Sequence, residues 1–550
     1  MKKKKPLVDA ATIASFETNK TLKDIIIYGT KKGGDKRHFV FLDQNKKEDE
    51  RTFNQSMKEI LSLGTYYYLQ GLDGKKKIAI IAENSYEWVI AYYSTLFGGN
   101  ISVPMDLKLD DSDLVSQLTR CGCDALVYTN KTAHTAQAAK DDPECPVKYY
   151  FCISDFPQYK AEGWAAYEAG DHRCEDAVVL PEDLACVVYT SGTTGLSKGV
   201  MLTHKNITAD VVASCSVNFG RQAIGFLPLN HTFCWVGALF SGYLLAEWGY
   251  ICDSLKDIQH DMQKYHPQNF SAVPLVVSTI YDKIWKTARR TGKEEVLKKG
   301  LKISKGLMKV GIDKRRTLFK TIIDNLGGEL ELIICGGANL DPKYENGMYD
   351  FGIQILNGYG MTECSPAITV NRVDDFKLGS VGKPIPCCKI RIVDPDEFGV
   401  GEIQVKGDNV MLGYYNDPEE TAKVFTEDGW LKTGDFGRID KDGFLFYIGR
   451  EKNLIILSNG KNVSPEEIED KLMCIDCVAE VLCYQEDDHI TAEFFLNEED
   501  YPSARELIKG EVRRVNSTLP TFKQVTRTKI RDTEFPKTNT MKIVRKNMSK

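Results

Sequence analysis

Apolar residues fall into short unbroken runs separated by amphipathic stretches, and this rhythm continues through most of the chain. Residues 77–82, KIAIIA, read as a continuous apolar strand, residues 84–97 as a helix with Trp88, Ile90, Ala91 and Tyr92 on its apolar face, and residues 101–104 as another strand. The alternation returns with a buried strand at 184–188 and a helix from His204, then with strands at 332–335 and 353–356. Strands that are apolar throughout are covered on both faces, so the pattern predicts an α/β fold of largely parallel sheets with covering helices. Toward the C terminus the pattern changes. Ser464 is placed to cap a helix with Pro465 at its first position and Glu467 completing a capping box, and strand-like runs at 479–484 and 490–495 follow, which predicts a small α+β unit.

A chain of 550 residues exceeds what one core supports, so two or more domains are expected. Hydrophobic content of 42% and charged content of 27% are those of an ordinary globular enzyme, and a net charge of −6 gives no support to nucleic-acid binding. The sixteen cysteines lie within apolar runs, as at Cys186, Cys335 and Cys483, and no apolar leader follows the opening MKKKK, so a reducing, cytoplasmic setting is expected. Cys474 with Cys477, and Cys121 with Cys123, have no second pair or histidine cluster to make a zinc site and read as buried structural thiols. No run of about 18 apolar residues is present, so no membrane span is expected.

Residues 189–199, YTSGTTGLSKG, change the picture. Gly192 and Gly195 allow positive φ, which turns backbone N–H groups toward one point and makes an anion nest. Thr190, Ser191, Thr193 and Thr194 add hydroxyls, and Lys198 adds a mobile cation, so the loop between strand and helix is suited to a polyphosphate. Gly199 follows the lysine where a Walker loop has Ser or Thr, so a magnesium ligand must come from elsewhere.

This loop resembles the signature of the adenylate-forming superfamily, which includes acyl-CoA synthetases, luciferases and peptide-synthetase adenylation domains, and later motifs recur in order from about residue 20 to 546, closest to those of long-chain fatty acid CoA ligases. The resemblance implies a large N-terminal AMP-binding domain, residues 1–449, with a β-subdomain. It also implies a hinge at 450–452, with Lys452 as its pivot, and a small mobile domain at 453–550. His231 matches the histidine beside the reacting carboxylate and acyl pocket, and Trp235, four residues on, would share its face if the segment is helical, lining that pocket or else packing in the core. Gly336, Gly337 and Ala338 form a turn that a flat ring can approach. In NGYGMTE, Tyr359 would stack on adenine with Asn357, Gly358 and Gly360 lining the pocket, Thr362 would meet the α-phosphate and Glu363 would bind magnesium. Asp435 in TGD and Arg450 in GREK would hold the ribose. Gly460 matches the glycine lining a pantetheine tunnel. Lys542 aligns with the catalytic lysine, although Met541 precedes it where the family usually has glycine.

These residues imply two half-reactions using ATP, Mg2+ and coenzyme A: a carboxylate attacks the α-phosphorus and pyrophosphate leaves, then a thiol attacks the acyl adenylate and AMP leaves. Lys198, Thr193, Glu363 and Lys542 would neutralise charge in the first step. A medium- or long-chain fatty acid is the expected substrate; aryl or bile acids, a carrier-protein phosphopantetheine as acceptor, and a non-catalytic nucleotide-binding homologue are the alternatives. The basic stretch 283–326, with Lys298, Lys299, Lys302, Lys305, Lys309, Arg315 and Arg316, reads as a solvated helical hairpin or as a surface for anionic lipid or CoA phosphates.

Overall fold

A computed structural model describes residues 10–17, 20–43, 45–190, 197–217, 223–252, 257–457, 462–487, 489–499, 501–537, 543 and 545. Among them a nine-stranded sheet runs in the order Lys383–Pro384, Ala367–Val370, Gln354–Gly360, Leu332–Cys335, Asn269–Ala272, Ala223–Gly225, Gly249–Ile251, Arg37–Leu42 and Glu48–Thr52. Its interior pairs are parallel and its edges antiparallel. A seven-stranded sheet carries Lys77–Ile81, Ile101–Pro104, Ala125–Tyr128, Tyr149–Cys152 and Leu184–Thr190 in parallel, closed at one edge by antiparallel Lys198–Thr203 and Gly413–Tyr414. The expected α/β architecture is thus present.

The helix Tyr86–Phe97 shows why the apolar pattern is so dense there. Ser85 accepts from the Trp88 N–H, which starts the helix two residues later than the apolar run suggests, and Trp88, Ile90, Ala91 and Tyr92 are all buried, as are Val89 and Tyr93 on its other sides. A helix that is apolar all round is one enclosed by protein. Four antiparallel strands, Cys388–Val393, Gly401–Gly407, Leu431–Ile439 and Leu445–Arg450, form the separate β-unit.

From Ile455 onward a second core assembles around Ile468, Leu472, Val481, Phe494 and Ile508, beneath a three-stranded sheet. Ser464 does cap the helix Pro465–Met473, accepting from the Glu467 N–H. The Glu467 carboxylate does not close the box, because it pairs with Lys523 at 2.6 Å. The CxxC reading also needs correction at one end: Cys477 is buried, but Cys474 is exposed and its thiol donates to Asp341 across to the larger part of the chain. No cluster able to hold a metal is found among the described residues, and every cysteine is a free thiol.

The basic stretch folds as the helices Pro274–Arg290, Glu294–Lys309, Arg315–Leu318 and Lys320–Asn325. Arg315 and Arg316 do not belong to a free surface. Arg315 is buried, paired with Asp313 and donating to the Tyr349 carbonyl, and Arg316 donates to the carbonyls of Leu330 and Gly328. No helix among the described residues is long and apolar enough to cross a membrane.

Candidate active site

Lys198 lies on a strand. Leu184–Thr190 and Lys198–Thr203 pair antiparallel, with Thr190 opposite Lys198 and Tyr189 opposite Gly199, so the loop closes a hairpin, and the helix His204–Val217 follows only after the second strand. The strand–loop–helix order read from sequence is therefore corrected: KGVMLT is apolar and β-branched enough to extend, and it pairs with the strand before it. Ser191, Gly192, Thr193, Thr194 and Gly195 lie outside the described residues, as do Gly460, Met541 and Lys542.

Lys198 is held from a part of the chain that sequence reasoning passed over. Its ammonium pairs with Glu420 at 2.5 Å and lies 5.0 Å above the Tyr414 ring. Gly413–Tyr414 reaches it by pairing with Met201 and Val200, and the N–H groups of Leu412 and Tyr415 donate to the carbonyls of Met201 and Gly199. Asp417 caps the helix Pro418–Val424, which sets Glu420 in place, and hydrogen bonds from Lys198 and Lys423 push its carboxyl down to about 2.

Tyr414 links this lysine to Glu363. Its hydroxyl donates to Glu363 Oε1 at 3.0 Å, and the Met411 N–H donates to the Glu363 carbonyl at 2.9 Å. Burial raises the Glu363 carboxyl above its usual range, against the opposing pull of Tyr414 and the Arg450 charge. The turn Thr362–Cys364 around it is clamped by buried polar groups. Asn409 Nδ2 donates to the carbonyls of Cys364 and Ala367, Ser365 donates to the Asn409 carbonyl, and Asp210 accepts the Ala367 N–H at 2.8 Å. Asn206 in turn donates to the carbonyls of Asp408 and Val410. Residues 408–420 therefore act as a strap joining the phosphate hairpin to the Glu363 turn. Full burial raises the Asp210 carboxyl well above the usual range, against the hydrogen bonds it accepts from Ala367 and Ser214.

On the other side of Glu363, the strand Gln354–Gly360 carries NGYG to its end, beyond the 353–356 strand read from sequence. Gly360 is required there, since a Cβ would lie 2.0 Å from the Pro366 carbonyl oxygen. Tyr359 is buried, with its hydroxyl donating to Asp435 Oδ2 at 2.8 Å and its ring 5.7 Å from that of Tyr447. Asp435 and Arg450 are cross-strand partners, with Arg450 Nε 3.3 Å from Asp435 Oδ1. Burial alone would lower the Arg450 pKa, but Asp435, Tyr447, Tyr359 and Glu363 outweigh it and raise the pKa, keeping the guanidinium charged. The turn at Gly336–Ala338 abuts this strand: Gly337 takes φ +85°, and Gly336 comes close to the Gly358 carbonyl.

His231 lies just before the short helix Thr232–Cys234, its N–H donating to the Pro228 carbonyl at 3.1 Å. Trp235 is fully buried, its indole N–H donating to the Leu229 carbonyl at 2.6 Å and its ring 5.1 Å from Tyr92. His231 and Trp235 do not lie on one continuous helix, because His231 has extended backbone before the helix Thr232–Cys234 and Trp235 opens the π-helix Trp235–Phe240. Lys452 sits in the turn Glu451–Asn453, which follows Arg450 directly.

The donor set suits magnesium of a particular kind. Glu363 offers a carboxylate with one oxygen already engaged by Tyr414, and magnesium is usually held by one or two carboxylates together with substrate phosphates.

Residues 29–415 match the family of AMP-binding enzymes, and residues 452–550 match the AMP-binding enzyme C-terminal domain. The chain is 35% identical to long-chain-fatty-acid–CoA ligase 6 of Mus musculus over 320 residues, 55% of this chain and 46% of that protein. It is 34% identical to long-chain-fatty-acid–CoA ligase 1 of Homo sapiens over 56% of this chain and 47% of that protein, and so spans about half the length of these relatives. Fatty acyl-CoA synthetase A of Dictyostelium discoideum is 28% identical over 79% of this chain and 69% of that protein. In fold, it matches the anthranilate CoA ligase AuaEII in complex with anthranoyl-AMP, with a TM-score of 0.77 at 18% identity over 96% of this chain and 97% of that one. It also matches o-succinylbenzoate CoA synthetase of Bacillus subtilis, with a TM-score of 0.74 at 22% identity over 97% and 99%. With the family model covering most of its length, the chain belongs to the AMP-binding enzymes of the adenylate-forming superfamily.

Proposed function

We propose that the chain is an acid–thiol ligase that activates a medium- or long-chain fatty acid with ATP and transfers the acyl group to coenzyme A. The observation that carries this reading is the cluster of buried Tyr359, Asp435 and Glu363 with the more exposed Arg450, which brings two carboxylates and a guanidinium together, with Tyr414 linking Glu363 to Lys198. Asp435 and Arg450 hold the ribose, and Tyr359 with the 336–338 turn lines the adenine. Glu363 would hold magnesium, which when bound screens the negative charge of the triphosphate. Lys198 leaves Glu420 for the departing pyrophosphate, with Thr193 and its neighbours as donors, while Lys542 neutralises the carboxylate as it attacks the α-phosphorus. His231 faces the acid. In the second half-reaction the thiol sulfur attacks the acyl carbonyl and AMP leaves, after the domain from 453 onward turns about Lys452 and opens a path past Gly460. The names of the relatives support a fatty acid as substrate, and the free thiols suit a cytoplasmic setting.

The test is AMP release across fatty, aryl and bile acids, with coenzyme A or a phosphopantetheinylated carrier protein as acceptor. Turnover of fatty acids with coenzyme A supports the reading. Turnover only with the carrier, or only with aryl or bile acids, refutes it.

A further inference from the structure

Between residues 283 and 326 the chain carries fourteen lysines and arginines against four acidic residues, a net of +10 in a protein whose total is −6. Five of these cations are committed to the fold or to ion pairs. Arg315 and Arg316 are used by the fold, Lys305 pairs with Asp350, Lys298 with Glu294 and Glu295, and Lys320 with Asp324. Lys299, Lys302 and Lys309 are exposed on the helix Glu294–Lys309 and make no ion pair among the described residues.

The same outer side carries apolar groups. Val296, Ile303 and Val310 are 68%, 57% and 71% exposed. Seven-residue spacing returns a helix to within about 20° of the same direction, so the three form one stripe about 21 Å long. Lys299, Lys302 and Lys309 lie on the band beside it, within about 120° around the helix. Leu297, Leu301, Ser304 and Met308 form the opposite, protein-facing side. The inner face alone accounts for the fold, so the outer stripe answers to something else.

We propose that the outer face of this helix docks on an anionic lipid surface, with the lysine ammoniums at headgroup phosphates and Val296, Ile303 and Val310 entering the headgroup–acyl boundary. Charge selects the occupant's sign, and the stripe selects its kind. A nucleic acid or free coenzyme A would satisfy the lysines and leave three β-branched side chains in water, whereas a bilayer satisfies both, with lysine stems lying along its apolar edge. The proposal is independent of the ligase reading.

The experiment is co-sedimentation of the whole chain with vesicles of phosphatidylcholine, alone or mixed with phosphatidylglycerol, at about 0.1 M salt. Binding is expected to the mixed vesicles and not to the neutral ones. Replacing all three lysines (Lys299→Glu, Lys302→Glu, Lys309→Glu) lowers it on the order of a hundredfold, and the Arg triple at the same positions keeps it. The stripe variant (Val296→Ser, Ile303→Ser, Val310→Ser) lowers it roughly tenfold or more. Thermal unfolding without vesicles controls for folding, and where a triple variant unfolds early the singles Lys302→Glu and Ile303→Ser replace it. No binding to anionic vesicles, binding indifferent to both sets, or binding that responds to charge and ignores the stripe, as heparin or RNA would show, overturns the proposal.

Discussion

Removing one buried hydroxyl, by Tyr414→Phe, tests whether the strap controls the Glu363 carboxylate. Phenylalanine keeps the ring beneath Lys198 and deletes only the donor that lies 3.0 Å from Glu363 Oε1. Both partners are buried, so water does not replace the lost bond. Burial raises the Glu363 pKa above its ordinary 4.5, so the stability linked to its neutral form is present below that value and is lost as pH rises through the folded-state value. Tyr414 offsets that loss by donating to the ionised form. A hydrogen bond to a charged group contributes about 1.5–3 kcal/mol and one between neutral groups about 1 kcal/mol. Across a pH series the variant should therefore lose about 1.5–3 kcal/mol on the alkaline side of the Glu363 titration and about 1 kcal/mol on its acid side, measured by urea unfolding followed by tryptophan fluorescence. A double-mutant cycle with Glu363→Gln isolates the pair. A loss equal on both sides of that titration, or a coupling below about 0.5 kcal/mol on its alkaline side, would refute the reasoning.

Other sites give sharper outcomes. Gly360→Ala forces a Cβ onto a backbone oxygen that has no room to yield and should cost about 3 kcal/mol, seen as a lowered Tm; an unchanged Tm contradicts the close approach. Glu420→Gln removes the carboxylate that competes with phosphate for Lys198, so calorimetry at low salt should show pyrophosphate binding several-fold tighter, and weaker binding would mean that Glu420 holds the lysine in its working position. Lys452→Pro should leave ATP–pyrophosphate exchange intact and stop thioester formation; equal loss of both argues against a pivot there.

The parallel strands and the start of the helix after Ser464 were open to sequence reasoning because they rest on local signals. Continuous apolar runs mark parallel strands, as at 77–82 and 332–335, and Ser464 with Pro465 marks a helix start wherever the chain goes next. The strap was not legible in this way. Lys198 meets Glu420 across 222 positions, Tyr414 meets Glu363 across 51, and Asp210 meets Ala367 across 157, and no periodicity encodes such pairs. A signal did exist in MLGYYNDPEE, where two tyrosines precede an Asp–Pro helix cap, but its partner could not be named without the fold. The second strand of the hairpin was missed because KGVMLT runs directly into the helix at His204, with no glycine or proline between them to mark the end of one element. Trp235 shows the opposite error, a helical wheel extended back to His231, which precedes the helix.

Comparing the two half-reactions in the wild-type chain and in Lys542→Ala tests the central claim most directly: acid-dependent ATP–pyrophosphate exchange, and thioester formation from supplied acyl adenylate and coenzyme A. The account predicts exchange with fatty acids in the wild type, none in Lys542→Ala, and thioester formation in both. Absence of exchange with every acid while ATP still binds, or loss of both half-reactions in Lys542→Ala, would contradict it.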